Sequence, residues 1–101
     1  MEFSGFDWDE GNAEKCQKHG VSIGEIEGLF AGPVAIAPTV SESDLSGRSL
    51  AIGRTREGRY LFVVFTLRSS GDVVLIRAIS ARFMHEKEIK SYEKQNPGLP
   101  K

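Results

Sequence analysis

Residues that can cap a helix precede two stretches near the amino terminus, and in the second of these the apolar positions have helical spacing. Asp9 can cap the first, and Gly20 stands where a left-handed residue closes a helix, so the pattern predicts a helix over 10–19. Ser22 and Glu25 form the S-x-x-E capping pattern of the second, whose apolar residues recur three and four apart until a Gly-Pro pair ends it. The chain is therefore predicted to begin with two consecutive helices.

Runs of β-branched and aromatic residues follow the helices and predict strands. The first run is short and contains Pro38, so it is expected at the edge of a sheet. Short polar breaks separate the later runs, as in antiparallel hairpins. The four predicted strands span 34–40, about 48–56, about 59–68 and about 72–81.

The last regular segment, 83–95, has helix formers and no breaker before an Asn-Pro-Gly stop, so it is predicted to be helical. The element order predicts an α+β domain with two N-terminal helices, a mainly antiparallel four-stranded sheet and a C-terminal helix. A chain of 101 residues is close to the usual size of one domain. We expect a single domain over 1–96 and a short tail over 97–101.

The hairpin turns predict which side chains share a face of the sheet. A two-residue turn between Arg56 and Arg59 would place Leu50 opposite Phe65, and the next turn would place Phe65 opposite Ile76. One face then becomes uniformly apolar, and we expect the helices to pack on it. The predicted inner residues are Leu50, Ile52, Leu61, Val63, Phe65, Leu67, Val74, Ile76 and Ala78.

The opposite face combines small residues with two arginines, which indicates a shallow groove with a positive lining. Its predicted residues are Ser49, Ala51, Gly53, Phe62, Val64, Thr66, Arg68, Leu75 and Arg77. A slip of one residue in the second hairpin would move Arg77 to the inner face. The direction of Arg82, which lies just past the predicted strand, is left open.

Charge and cysteine content narrow the class of protein. The formal net charge of −1 argues against a protein that coats nucleic acid, and a single cysteine excludes an internal disulfide framework or a four-thiolate zinc site. Residues 1–47 nevertheless carry nine acidic and two basic side chains, whereas 48–101 carry eleven basic and five acidic ones. Such an asymmetry of charge along the chain is typical of a protein that binds a polyanionic ligand or a charged partner. No apolar run of membrane length and no leader pattern occur, so we expect a cytoplasmic protein.

Several motifs occur together in an order that is similar to a known family. In chain order they are Phe6-Asp7-Trp8-Asp9-Glu10, Lys18-His19-Gly20-Val21-Ser22, Glu25, Phe30, Ala51-Ile52-Gly53, Phe65-Thr66-Leu67-Arg68, Ile79-Ser80-Ala81-Arg82, Glu88 and Tyr92. The composite resembles the BrnT family of bacterial type II toxin–antitoxin toxins, whose fold resembles that of the RelE ribonuclease toxins. The resemblance spans nearly the whole chain.

The resemblance implies a metal-free endoribonuclease toxin that needs no cofactor, cleaves RNA and inhibits translation. It implies a ribbon-helix-helix antitoxin as partner, contact with operator DNA only through that antitoxin, and no contact with a membrane. Cys16 stands where many relatives carry Asn, and Glu42 and Ser46 stand where relatives often carry His and Glu. These departures leave open a catalytically decayed toxin fold that acts as a non-enzymatic antitoxin-binding or corepressor module. A plain structural domain is a third alternative.

Metal-free cleavage of RNA requires a base for the 2′-hydroxyl, an acid for the leaving oxygen and cations beside the phosphate. Arginine suits the cationic role because its planar fork binds two phosphate oxygens. Arg68, Arg77 and Arg82 are the candidates, although each could equally be an ordinary ion-paired side chain. His19 could transfer protons near neutral pH, but a histidine in the last turn of a helix also interacts favourably with the helix dipole.

Glu88 and Tyr92 are four residues apart on one face of the last helix and could supply a carboxylate and a phenol. Tyr92 could equally be half-buried core, and Cys16 is expected to be a small buried hydrophobe. No metal ligands are predicted. The predicted catalytic residues are His19, Arg68, Arg82, Glu88 and Tyr92. The predicted RNA-binding residues are Lys18, Arg54, Thr66 and Arg77.

Overall fold

Three helices and five strands make up the described part of the chain, which in this computed structural model comprises residues 3–32, 34–38 and 48–95. Helices α1 to α3 span Glu10–Gln17, Ile23–Ala31 and Glu86–Gln95. Strands β1 to β5 span Gly5–Phe6, Ala35–Pro38, Ser49–Arg54, Tyr60–Ser70 and Val73–Phe83. The end of the predicted edge strand, the segment with Glu42 and Ser46, and the tail over 97–101 lie outside the described residues.

Both N-terminal helices begin at the predicted capping residues. The Asn12 N–H donates to the Asp9 carboxylate at 3.0 Å, and the Asp9 N–H donates to the Asn12 side-chain oxygen at 2.7 Å. Ser22 and Glu25 exchange the same pair of hydrogen bonds, each 3.0 Å long. Each exchange satisfies backbone donors that the start of a helix leaves unpaired. The predicted second capping pattern is therefore confirmed, and Asn12 completes the first.

The strands form one mixed sheet in the order β1-β5-β4-β3-β2. The predicted antiparallel pairing of β2 through β5 is confirmed. The prediction of only four strands is wrong, because β1 adds a fifth strand parallel to β5. Bonds of 2.8 Å from the Ser4 N–H to the Val74 carbonyl and from the Asp7 N–H to the Ile76 carbonyl hold it there. A strand of two residues has no periodicity, so the alternation of apolar and polar positions could not reveal it.

The register of the first hairpin differs by one residue from the prediction. Leu50 lies opposite Val64, because β3 and β4 are joined by the five residues 55–59 rather than by a two-residue turn. A displacement by one residue moves every β3 side chain to the other face. The inner positions predicted for Leu50 and Ile52 are therefore wrong, and both residues lie on the outer face. Ala51, predicted outside, is fully buried on the inner face.

The second hairpin preserves the predicted faces although its register is displaced by two residues. Phe65 lies opposite Ala78 instead of Ile76. An even displacement leaves the alternation unchanged, so Phe65 and Ile76 are both buried on the inner face. Thr66 and Arg77 both lie on the outer face, as predicted, and the displaced register makes them direct partners.

A β-bulge in β5 decides the direction of Arg82. Ile79 has no partner on β4, where the register shifts between the pairs on either side of it. The extra residue reverses the alternation of side chains in the rest of the strand. Ala81 is consequently buried on the inner face, and Arg82 lies opposite Phe62 on the outer face.

The core lies between the inner face of the sheet and helices α1 and α2. It consists of Cys16, Val21, Ile26, Leu29, Phe30, Ala51, Leu61, Val63, Phe65, Ile76, Ala78 and Ala81. Phe30 of α2 packs edge-to-face on Phe65, with 5.1 Å between the ring centroids. Cys16 is fully buried, as predicted, and this burial raises the pKa of its thiol.

Helix α3 packs on the outer face and covers part of it. The Tyr92 ring contacts the Tyr60 ring edge-to-face at 5.7 Å, and the Tyr60 hydroxyl donates to the Glu93 carboxylate at 3.2 Å. The remainder of the outer face is left uncovered by the described helices. None of these helices has the length and apolar character of a membrane span.

Candidate functional site

A cavity of about 400 Å³ opens on the outer face of the sheet, and three of the predicted catalytic residues meet at it. These residues are His19, Arg82 and Glu88. The rest of the lining is mostly apolar and consists of Leu50, Phe62, Val64, Ser80 and Ala81. A mostly apolar concavity with a few convergent polar groups is the usual form of a small-ligand site.

His19 reaches this cavity because α1 packs against the part of β5 that β1 leaves uncovered. The Asn12 amide fixes the helix there by donating to the Ala78 carbonyl at 2.9 Å. The helix ends at Gln17, two residues before the predicted end, and the chain then turns at Gly20, whose φ is +86°. This turn places the exposed His19 at the rim of the cavity.

Arg82 is held over the cavity by contacts with three residues. Its guanidinium carbon lies 4.6 Å from the centroid of the Phe62 ring, which is a cation–π distance. Nη1 and Nη2 each donate to one carboxylate oxygen of Glu88 at 2.8 Å. Nη1 also donates to the Phe83 carbonyl at 3.3 Å. These contacts fix the orientation of the guanidinium before any ligand binds.

Glu88 links this arginine to the start of α3. Its Oε1 accepts the His85 N–H at 2.9 Å, and the His85 carbonyl accepts the Ile89 N–H at 3.0 Å, so His85 caps the helix. The hydrogen bonds from Arg82 and then from His85 hold the pKa of Glu88 at about 2, well below its ordinary value. Glu88 is therefore a carboxylate at neutral pH, which accepts hydrogen bonds and has no proton to donate.

One edge of the Arg82 guanidinium remains open. A guanidinium has five N–H groups, and the bonds to Glu88 and Phe83 use both hydrogens of Nη1 and one of Nη2. Within the described residues, the Nε hydrogen and the second Nη2 hydrogen have no protein acceptor. They lie side by side on one edge of a side chain that is 42% exposed. This edge has the geometry to bind two oxygens of a phosphate while Glu88 keeps the other edge.

A second cavity, of about 340 Å³, adjoins the first between α3 and the sheet. Phe62 and Glu88 line both cavities. The remaining residues of the second are Ile52, Met84, Lys87, Ser91, Tyr92 and Gln95. Tyr92 is thus half-buried against Tyr60 on one side and lines a cavity on the other.

Arg77 lies on the outer face, but carboxylates of the N-terminal segment bind its guanidinium. Nη2 donates to Asp9 at 2.7 Å, and Nη1 donates to Asp7 at 3.4 Å. The Asn12 N–H and the Arg77 guanidinium together lower the pKa of Asp9. Arg77 does not line the cavity, and its side chain is only 17% exposed. The ion pairs connect β5 to the segment that precedes α1.

Arg68 and Thr66 lie farther along β4, away from the cavity. Arg68 is six positions from Phe62, which corresponds to about 20 Å along a strand. Its side chain is exposed near the end of the hairpin. Thr66 lies between these two positions, opposite Arg77. The structure therefore does not bring either residue to the Arg82 guanidinium.

Arg54 and Lys18 occupy two further places. The Arg54 guanidinium carbon lies 5.6 Å from the centroid of the Tyr60 ring, at the end of the sheet where β3 leads into its hairpin. Lys18 is exposed next to His19 in the turn after α1. Of these two residues, only Lys18 is adjacent to a residue of the first cavity.

No three His, Cys, Asp or Glu side chains within the described residues are close enough to share a metal ion. In the first cavity, His19 and Glu88 have the chemistry of metal ligands. Both carboxylate oxygens of Glu88 already accept hydrogen bonds from Arg82.

Five residues of the first cavity had no functional role in the sequence-based prediction, namely Leu50, Phe62, Val64, Ser80 and Ala81. Alternation along the strand predicted that Phe62 lies on the outer face. It did not indicate that the Phe62 ring contacts the Arg82 guanidinium. Ser80 comes to the cavity only because of the bulge, which has no marker in the sequence. Leu50 was placed on the wrong face by the shorter turn expected in the first hairpin.

A family model described as "Ribonuclease toxin, BrnT, of type II toxin-antitoxin system" matches residues 8–88. The matched range contains His19, Arg82 and Glu88, and it ends before Tyr92. No curated protein has significant sequence similarity to the chain.

Proposed function

Because the chain belongs to the BrnT family of ribonuclease toxins of type II toxin–antitoxin systems, we propose that it is an endoribonuclease with its active site at the first cavity. The observation that carries the proposal is the convergence of His19 and Arg82, from opposite ends of the family match, on one cavity. The open edge of the Arg82 guanidinium supports it, because a phosphodiester has the two oxygens that this edge can bind.

The proposed reaction uses the RNA 2′-hydroxyl as nucleophile. Its oxygen forms a bond to phosphorus and the bond from phosphorus to the 5′-oxygen breaks, which leaves a 2′,3′-cyclic phosphate and a 5′-hydroxyl. His19 takes the proton of the 2′-hydroxyl, and water gives a proton to the leaving 5′-oxygen. The hydroxide that this leaves takes the proton from His19, which restores the side chain for the next reaction. Each assisted proton transfer contributes about 10²–10⁴-fold. The nucleophile comes from the substrate, so we propose that no metal-bound water is required.

Arg82 is assigned to the phosphate, and Glu88 is assigned as the residue that positions it. Charge that is already oriented stabilises a transition state without the cost of reorganisation. The Glu88 carboxylate offsets part of the arginine charge, so the fixed geometry of Arg82 matters more here than a large positive potential. Tyr92 remains a candidate through the second cavity, while Arg68, Arg77, Arg54, Thr66 and Lys18 remain candidates for contacts with a longer RNA.

Cleavage of end-labelled RNA by the purified chain tests the proposal. We expect wild-type protein to cleave RNA in the presence of EDTA and to leave 2′,3′-cyclic phosphate ends. Arg82→Ala and His19→Ala should each lower the rate by about 10²-fold or more. Arg56→Ala is the matched control, because Arg56 is an exposed arginine outside the cavity, and it should retain the wild-type rate. Folded wild-type protein without RNA cleavage, or equal losses in Arg82→Ala and Arg56→Ala, would contradict the proposal.

We further propose that this activity inhibits translation in the cytoplasm and is neutralised by a ribbon-helix-helix antitoxin, with contact to operator DNA only through that antitoxin. The substitutions at Glu42 and Ser46, together with the ion pair that occupies one edge of Arg82, favour a second candidate: a toxin fold that has lost catalysis and serves as an antitoxin-binding module. Co-purification with a small protein encoded beside this chain tests the partnership. Binding of that protein by a chain that cleaves no RNA would favour the second candidate.

A further inference from the structure

Phe62 forms the partition between the two outer-face cavities. Its ring lines both of them. Its cross-strand neighbours are Ile52 on β3 and Arg82 on β5. The first cavity lies on the side of Phe62 toward Val64, and the second lies on the side toward Tyr92 and α3. Two adjacent concavities thus share one aromatic wall.

The guanidinium of Arg82 lies over the Phe62 ring. The guanidinium carbon of Arg82 is 4.6 Å from the Phe62 ring centroid, and its open edge is formed by Nε and Nη2. Arg82 itself lines the first cavity, and a phosphate bound to that edge would lie beside Phe62, the aromatic residue that both cavities share. Groups attached to the two sides of such a phosphate would extend in opposite directions.

The two cavities suit the two groups that flank a phosphodiester. Their volumes, about 400 and 340 Å³, lie within the range of about 300–1,000 Å³ that is usual for small-molecule sites. The first has apolar walls with the Ser80 hydroxyl and the His19 imidazole. The second has Lys87, Ser91 and the Tyr92 ring beside apolar Met84. Apolar and aromatic walls with a few polar groups are able to hold a base by stacking and hydrogen bonds.

We propose that the outer face binds RNA as a dinucleotide step, with the phosphate on Arg82 above Phe62 and one nucleoside in each cavity. This inference rests on the proposed function and specifies how the substrate is held. Phe62 is the residue that separates the two nucleosides. Because the second cavity is bounded by α3, its selectivity depends on side chains of that helix.

Binding of uncleavable RNA fragments tests the proposal. The probes are 2′-O-methyl dinucleoside phosphates of all base combinations, compared with the two nucleoside methyl phosphates into which each divides. Because 2′-O-methylation removes the nucleophile, the measurement reports binding alone. We expect the best dinucleotides to bind about tenfold or more tightly than either component. Equal affinity of dinucleotides and their components would overturn the inference.

Variants that fill one cavity locate the two nucleosides. Ser80→Trp fills the first cavity, Ser91→Trp fills the second, and each should abolish the gain in affinity of the dinucleotide over one component. Leu50→Trp, on β3, provides a second way to fill the first cavity if Ser80→Trp does not fold. Ser69→Trp is the matched control, because Ser69 is an exposed serine of β4 outside both cavities. Persistence of the gain in folded variants of either cavity would contradict the assignment.

Failure of this inference and failure of the proposed function give different results. If RNA is cleaved with the expected dependence on Arg82 but dinucleotides show no gain, the ribonuclease proposal stands and the two-cavity arrangement is wrong. If dinucleotides bind with the expected gain but RNA is not cleaved, the cavities hold RNA and the catalytic assignment is wrong.

Discussion

Arg82 receives its orientation from an aromatic ring, a carboxylate and a backbone carbonyl that belong to β4, α3 and β5. The contacts with Phe62, Glu88 and Phe83 leave the guanidinium one accessible edge. At the level of single residues, the sequence identified both members of the Arg82–Glu88 pair as candidates. It could not indicate that they bind each other, because their contact depends on the bulge that turns Arg82 outward and on where α3 begins.

Replacement of Glu88 by Gln should change the dependence of stability on pH. The pKa of Glu88 is about 2 in the folded protein and lies below its ordinary value. The ionised group therefore stabilises the fold at neutral pH, and this contribution is lost as the pH falls from about 4.5 toward about 2. Glu88→Gln should lower the Tm at pH 7, and the gap between the two proteins should narrow on acidification.

Thermal unfolding of both proteins between pH 7 and pH 2 checks this prediction. Glu86→Gln provides the control, because Glu86 is an exposed glutamate of the same helix and pairs only with Lys90 at 3.4 Å among the described residues. A Tm difference between wild type and Glu88→Gln that stays constant over the whole range would show that the ion pair with Arg82 does not form.

At the scale of elements, local signals located the start of α2 but not the register of the sheet. They also placed the start of α3 too early, because β5 continues to Phe83 and α3 begins at Glu86. The Ser22–Glu25 exchange lies within four residues, so the start of α2 could be read directly. The register of the first hairpin depends on a loop that closes through the Thr55 N–H and the Arg59 carbonyl at 2.7 Å. The turn residues in that loop were equally compatible with a shorter turn. Strand β1 forms only by pairing with the edge of β5, which is distant in the sequence. A local sequence pattern therefore could not predict it.

Gly20 lies in the turn after α1 that brings His19 to the first cavity. Its φ of +86° is unfavourable for a residue with a Cβ. Gly20→Ala should therefore destabilise the fold by about 1 kcal/mol and lower the Tm by about 4–8 °C. The RNA cleavage rate should fall as well, because the turn that brings His19 to the cavity is disturbed.

Gly28→Ala is the matched control for this variant. Gly28 lies inside α2, and a Cβ there would meet nothing within 4 Å. Alanine in a helix interior stabilises by about 0.5–1 kcal/mol relative to glycine. Thermal unfolding should therefore show a lower Tm for Gly20→Ala and a higher Tm for Gly28→Ala than for the wild-type protein. A Gly20→Ala protein as stable as Gly28→Ala would contradict the role assigned to the turn.

At the scale of the whole molecule, the two oppositely charged halves of the chain partly pair with each other. Arg77 binds Asp7 and Asp9, and the Arg59 guanidinium lies 3.7 Å from the Glu25 carboxylate. The asymmetry of charge therefore has an intramolecular use, and it does not by itself indicate an extended surface for RNA. Within the lining of the two cavities, the arginine and lysine side chains are Arg82 and Lys87.

Binding of RNA should consequently depend only weakly on salt. For a short RNA that does not extend beyond the two cavities, we expect two phosphate contacts, one from Arg82 and one from Lys87 of the second cavity. Log K should then fall with log[salt] with a slope of about −1.4, which is about sevenfold between about 50 and 200 mM salt. Lys87→Ala should reduce the slope by about 0.7. Lys90→Ala should not, because Lys90 is exposed on α3 outside both cavities and pairs with Glu86. A wild-type slope steeper than about −4 would indicate a much broader basic surface.

The parallel pairing of β1 with β5 also determines how much of the chain must be synthesised before the sheet is complete. Gly5 and Leu75 are opposite each other in the sheet, so β1 cannot pair until β5 has been synthesised. His19 is synthesised before β5 and α3, the elements that supply Arg82 and Glu88. A nascent chain that has not yet reached Glu88 has no assembled first cavity, since part of the wall, the cation and the carboxylate that orients the cation are missing. If the first cavity is the proposed ribonuclease site, the growing polypeptide cannot cleave RNA until α3 has been made.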